Sequence, residues 1–295
     1  MKINTNVNAM YATNNMNKNV ALAGNSMQKL ASGLRINKAG DDAAGLAVSE
    51  KMRAQIRGLE QGERNIQDGI SLVQVAEGAL AEAGEMVQRM RELGVQAGNS
   101  TLNASDRANI KAELDQLGEE LMLMSAETKF NEQPLFGDAA KFTIQTGANN
   151  EVREITGINL AKILTEAQPI SGGNTAASSL LGNASIGQDG KVTGITINVS
   201  DVPNAQKFVE AANATLESIT TNRAKLGAQQ NRLEASTSNL ATSIENMTEA
   251  ESRIRDVDVA KEMTNLAKLN LLSQTSQAMV AQAKSQPDTI VQLLR

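Results

Sequence analysis

Apolar side chains recur along this chain at helical spacing for most of its length. Val20, Ala23, Met27, Leu30 and Leu34 fall at intervals of three and four, which predicts a helix over residues 13–34. A second run follows Asp41-Asp42: Met52, Ile56, Leu59, Ile66, Ile70, Val73, Leu80 and Val87, with weak seam positions at Glu63, Glu77 and Gly84. The third holds Ile110, Leu114, Leu117, Leu121 and Met124, with Ser105 as its expected N-cap. The fourth runs on one 3.5-residue seam through Val209, Ala212, Leu216, Ile219, Leu226, Leu233, Leu240, Ile244, Met247 and Ile254. Arg223, Gln230, Thr237 and Glu251 interrupt it. Sustained heptads of this kind make coiled-coil or long-bundle helices. A helix from about Asn204 to Asp256 would be roughly 75–80 Å long. The seam methionines Met27, Met52, Met124 and Met247 read as core filler.

The ends differ from this pattern. Residues 1–20 are rich in Asn, whereas the last segment is rich in Leu and apolar up to Ile290-Val291-Gln292-Leu293-Leu294. Such a stripe must be buried, so the N- and C-terminal helices are expected to pair with each other and with further copies. Leu30, Leu34, Leu266, Leu269, Leu272, Val291, Leu293 and Leu294 are the expected assembly residues. The middle is not helical. Phe142–Thr146 and Glu151–Ile155 flank Gly147–Asn150, the pattern of a β-hairpin with a four-residue turn. Residues 171–190 read as loop, and Ile195, Ile197 and Val199 alternate as a short strand paired across Asp189-Gly190. The expected fold is mainly α: a long helical coiled-coil rod with a small β-hairpin region and paired terminal helices.

Composition narrows the chemistry. The 295 residues include no Cys, no His and no Trp. Thiolate and imidazole ligands, Cys nucleophiles and imidazole bases are therefore excluded. Aromatics make up 2% of the chain, too few to line an apolar pocket well. The net charge of −5 disfavours nucleic acid and anionic membrane as partners. No apolar run has the length of a membrane span, and the polar start predicts no cleaved signal peptide. Asp41-Asp42 suits a helix N-terminus better than a metal, because nothing nearby resembles a calcium loop. No metal and no cofactor is expected.

Two segments carry a resemblance. Ser32-Gly33-Leu34-Arg35-Ile36-Asn37 with Asp41-Asp42-Ala43-Ala44-Gly45 resembles the N-terminal signature of bacterial flagellins. Arg253-Ile254-Arg255-Asp256-Val257-Asp258, then Ala260-Lys261-Glu262-Met263 and the closing Gln286-Pro287 and Val291-Gln292-Leu293-Leu294, resembles the C-terminal one. Ala283-Lys284-Ser285-Gln286-Pro287 departs mildly from the family, which often has Asn-Gln before the Pro. The larger departure is the missing outer domain: only residues 166–200 occupy its place. The resemblance implies residues 1–43 and 259–295 as halves of an inner coiled-coil domain, with 44–165 and 201–258 forming a rod domain. It implies a structural subunit, not an enzyme, that polymerises into the extracellular flagellar filament for motility. The flagellin-like hook–filament junction protein is the alternative. It also implies type III export, an export chaperone, a cap and hook-junction proteins as partners.

Other readings are weaker. A metalloprotease inserted in the outer region needs His, which is absent. The narrow heptad seam, with flanks balanced in charge, suits partner helices better than lipid. Within Gln88-Arg89-Met90-Arg91-Glu92-Leu93, positions Arg89 and Leu93, together with Glu113, match the flagellin segment read by Toll-like receptor 5. Arg beside Leu suits an interface anchor.

Overall fold

A computed structural model describes residues 6–137, 141–165, 180–186 and 192–293, with the side chains of 183–186 and 286–293 outside that description. Helix α1 is Val7–Ser32, α2 is Ala43–Ala97 and α3 is Ala104–Glu127. Strands β1 (Lys129–Phe130) and β2 (Gln133–Pro134) precede β3 (Lys141–Gln145) and β4 (Val152–Thr156). A short α4 (Leu160–Thr165) and strands β5 (Gly182–Ile186) and β6 (Val192–Ile195) follow. Helices α5 (Val202–Arg255) and α6 (Val259–Leu293) complete the described chain. The fold is mainly α, and its strands form three antiparallel two-stranded sheets among the described residues. The chain divides into two units: residues 1–57 with 243–295, and residues 58–242.

The 58–242 unit holds a continuous apolar core. Ile66, Leu80, Leu114, Leu121, Leu164, Leu181 and Ile219 are out of contact with water. Each such side chain contributes on the order of 1.5–3 kcal/mol of burial. The interruptions in the seams meet one another here. Arg223 of α5 pairs with Glu77 of α2 at 3.4 Å, and Gly84 of α2 lies opposite Ile219 of α5. Residues 145–148 lie against α2, where Asn65 donates to the Gln145 carbonyl at 2.9 Å. Gly62 permits this approach, since a Cβ there would strike the Thr146 carbonyl.

The β3–β4 hairpin has the expected turn. Gln145 pairs with Val152, and Thr146 N–H donates to the Glu151 carbonyl at 2.8 Å. Elsewhere the expectations need correction. The cap of α3 is Asn103, not Ser105: its Oδ1 accepts from Asp106 N–H at 2.9 Å and Asp106 Oδ2 accepts from Asn103 N–H at 3.3 Å. Ser105 is the second residue of the helix. Strand β5 occupies residues expected to be loop, and β6 ends at Ile195. Ile197 and Val199 are buried beyond the strand end. Asp189-Gly190 lies outside the described residues. Helix α1 begins at Val7, well before residue 13, and Leu34 lies past its end.

Candidate assembly surface and the paired helix breaks

Helices α1 and α6 pair with each other. The residues they turn inward are small or polar as often as apolar. On α1 the more buried positions include Asn19, Ala23, Ser26 and Leu30; on α6 they include Glu262, Leu266, Leu269, Ser273 and Ser276. Ser26 Oγ donates to Glu262 Oε1, Asn19 Nδ2 donates to Ser276 Oγ at 3.4 Å, and Asn6 Nδ2 donates to the Ala283 carbonyl at 2.7 Å. These bonds fix the register of the pair, because each polar group in a half-dry seam needs its partner.

The large apolar residues mostly point away from this seam. Val7, Met10, Tyr11, Val20, Leu22, Met27, Met263, Leu271, Leu272 and Met279 are all exposed. The stripe expected to line the seam is therefore split. Ala23 and Leu30 face α6, whereas Val20 and Met27 face outward, so Met27 is not core filler. Of the expected assembly residues, Leu269 is buried and Leu266 and Leu30 half-buried within the pair, and Leu272 is open. Leu34 is half-buried in the break after α1. Val291 and Leu293 lie on α6 with side chains outside the description, and Leu294 lies outside the described residues. The exposed Leu22, Leu271 and Met279 were not singled out as assembly residues. The signal for them was present: Leu22 and Leu271 stand one position before Ala23 and Leu272, and Met279 stands one heptad after Leu272.

The two signature segments meet in space. Gly33 ends α1 in the left-handed conformation with φ of 71°, which only glycine adopts without cost. The chain then runs antiparallel to the end of α5, with Leu34 opposite Asp256. Arg35 N–H donates to the Arg255 carbonyl at 2.7 Å, and Val257 N–H to the Gly33 carbonyl at 3.0 Å. Arg35 Nη2 also donates to the Ile254 carbonyl at 2.5 Å. Ile36 is buried beneath the bridge, against Gly45, where a Cβ would collide with it. The two aspartates divide the work. Asp41 Oδ2 accepts from the Asn37 and Lys38 N–H groups at 3.1 and 2.9 Å, and Asp42 Oδ1 caps α2 through Gly45 N–H at 2.8 Å. Asp258 caps α6 in the same way through Lys261 N–H at 3.1 Å.

Charge closes the junction. Arg255 Nη1 binds Glu50 at 2.7 Å and Arg53 reaches Glu251 at 3.8 Å. The hydrogen bond from Arg255 holds the Glu50 carboxyl below its ordinary range. The Lys38 and Asn37 N–H groups do the same for Asp41. Among the described residues no group of three or more acidic side chains is arranged to hold a metal ion, and no helix is long and apolar enough to cross a membrane.

On α2 and α3, Arg89 bonds Glu113 at 3.0 Å and Glu92 at 3.3 Å. Glu113, and Glu92 after it, push the guanidinium pKa up. Leu93 is buried in the core, one turn along from this pair. The structure thus brings Arg89 and Glu113 together on the surface and places Leu93 beneath it.

Helical termini that pair with each other while facing their apolar side chains outward define a structural, self-associating class of protein. The comparisons identify the family. Residues 3–141 match the bacterial flagellin N-terminal helical region, and residues 207–294 match the bacterial flagellin C-terminal helical region. The chain is 46% identical to the flagellin of Halalkalibacterium halodurans and 45% identical to that of Bacillus subtilis, with all of each chain covered in both cases. Its fold is also similar to a putative flagellar hook-associated protein from Vibrio parahaemolyticus. That match has a TM-score of 0.57 at 13% identity, covering 73% of this chain and all of the other. This chain belongs to the bacterial flagellin family. The family is one of structural proteins, and the chain is not an enzyme.

Proposed function

We propose that this chain, a structural subunit of the flagellar filament, polymerises by burying the outward apolar face of the α1–α6 pair against neighbouring copies. The observation that carries the reading is how that pair divides its side chains: its own contact takes Ser26, Asn19 and Glu262 beside Leu30, Leu266 and Leu269, and leaves Leu22, Leu271 and Met279 in water. Exposed apolar area of this kind is worth about 25 cal/mol per Å² when a partner covers it. Contacts that run from copy to copy without closing build a filament, not a ring. The expected assembly residues take two roles in this proposal. Leu30, Leu266 and Leu269 hold the pair, and Leu272 belongs to the face offered to other copies; Val291, Leu293 and Leu294 are proposed as further assembly residues.

The proposal divides the chain into an inner coiled-coil domain (1–43 and 259–295), a rod domain (44–165 and 201–258) and a short outer segment (166–200). The grouping of residues 1–57 with 243–295 supports the first of these. Export without a cleaved signal peptide, an export chaperone, a cap, hook-junction proteins and recognition by Toll-like receptor 5 complete it. For the receptor, the exposed Arg89–Glu113 pair is the contact and Leu93 supports it from beneath.

Negative-stain electron microscopy after ammonium sulfate seeding tests the central claim. The full chain is expected to form long filaments, and a variant lacking residues 271–295 to remain unpolymerised with its 58–242 unit folded. Filaments from the shortened chain would overturn the proposal.

A further inference from the structure

Among the described residues, the exposed methionines all lie on two helices. Met10 and Met27 of α1 are 56% and 60% open to solvent, and Met263 and Met279 of α6 are 55% and 65% open. The methionines of the 58–242 unit are protected: Met90 and Met122 are buried, and Met86 and Met124 pack against the core. With no Cys, His or Trp in the chain, these thioethers are the groups a mild two-electron oxidant reaches first. We propose that Met10, Met27, Met263 and Met279 form a reversible oxidation site that switches assembly off while leaving the folded subunit intact.

The reaction is oxygen transfer from a peroxide. The thioether sulfur attacks one peroxide oxygen, an S–O bond forms and the O–O bond breaks. The sulfur is oxidised to the sulfoxide, and hydrogen peroxide is reduced to water. A sulfoxide on the free subunit is solvated and costs nothing. Covered by an apolar neighbour, its oxygen is a buried acceptor without a donor. Assembled subunits shield these sulfurs, so the vulnerable species is the unpolymerised chain. The inference rests on the α1–α6 face being the one that polymerises.

The test treats the full-length chain with dilute hydrogen peroxide and assigns sulfoxides by peptide mass spectrometry. Circular dichroism and seeded polymerisation follow. Sulfoxides are expected at the four exposed positions before Met90 or Met122, with helicity and melting unchanged. The concentration of subunit left unpolymerised should rise at least about tenfold, because one unpaired polar group in an apolar contact already costs that factor. Methionine sulfoxide reductases should restore assembly. A chain carrying Met10→Leu, Met27→Leu, Met263→Leu and Met279→Leu, compared only with itself, should leave the same concentration unpolymerised with and without peroxide. Normal polymerisation of the fully sulfoxidised chain would overturn the inference, as would a leucine variant that peroxide still disables. If the leucine variant fails to polymerise untreated, recovery of the oxidised natural chain by the reductases decides: recovery supports the inference and its absence overturns it. Failure of the untreated natural chain to polymerise would instead count against the terminal-pair reading itself.

Discussion

Leu80, Leu114 and Leu121 lie out of contact with water in the 58–242 unit, whereas Leu22, Leu271 and Leu272 in the terminal pair are open to it. The first region satisfies its apolar residues within one chain. The second shares its own seam between Leu30, Leu266 and Leu269 and the polar or small side chains of Ser26, Asn19, Glu262 and Ala23. Both are built from long helices, so the difference does not come from secondary structure. It comes from which side chains fall on the contact face. A helix pair held in register by polar contacts keeps its apolar area for a partner, whereas a pair that consumed it would be a finished domain.

Paired substitutions break this comparison most sharply. Leu121→Ala removes a fully buried side chain and should cost about 2–5 kcal/mol of stability, read as a fall in the denaturant midpoint. Leu271→Asp changes an exposed side chain and should alter monomer stability by less than about 0.5 kcal/mol. Seeded polymerisation of the Leu271→Asp chain should nevertheless fail, since each copy would then bury an unpaired carboxylate. A large loss of monomer stability in that variant would show that Leu271 belongs to the core of the single chain.

Much of this was legible in the residues. The seams of α2, α3 and α5, the turn at Gly147–Asn150 and the break between α1 and α2 follow from apolar spacing and from Gly and Asp chemistry. The interruptions Glu77 and Arg223 stood out as defects in separate seams, and only the fold shows that they face each other. The terminal pair was half legible. Its apolar residues were plain, but heptad reading assumes that the apolar face is the contact face, and here Val20 and Met27 turn away. Strand β5 was missed because Gly182-Asn183-Ala184-Ser185 has loop composition; it holds its place by pairing with β6. The spacing points to Ser105 as the cap of α3, and the reciprocal bonds between Asn103 and Asp106 place the cap two residues earlier.

The junction between the signature segments responds to pH in a direction set by its carboxylates. Glu50 and Asp41 both have folded-state pKa values below the ordinary ones. Their stabilisation is therefore complete at neutral pH, above the unfolded values. It is lost as pH falls through the carboxylate range, where the unfolded chain takes up protons first. Between neutral pH and about pH 3 the melting temperature should fall, and Glu50→Gln and Asp41→Asn should each make that fall shallower. An unchanged pH profile in the double variant would mean that neither carboxylate matters to the junction.

The smallest effect expected is at Arg223 and Glu77. Both side chains are more than two-fifths exposed, so solvent screens the pair. A double-mutant cycle with Arg223→Ala and Glu77→Ala should give a coupling of about 0.2–1 kcal/mol, and added salt should reduce it. That amount is too little to explain why two charges sit where a heptad seam asks for apolar residues. Their place is better accounted for by register, since a shift of α5 along α2 by one heptad would part the two charges and leave each without its partner. The exchange variant carrying Arg223→Glu and Glu77→Arg should therefore keep the native fold and melting temperature, while Arg223→Glu alone sets two like charges together and lowers it. An exchange variant no better than the single reversal would show that the pair does not set the register.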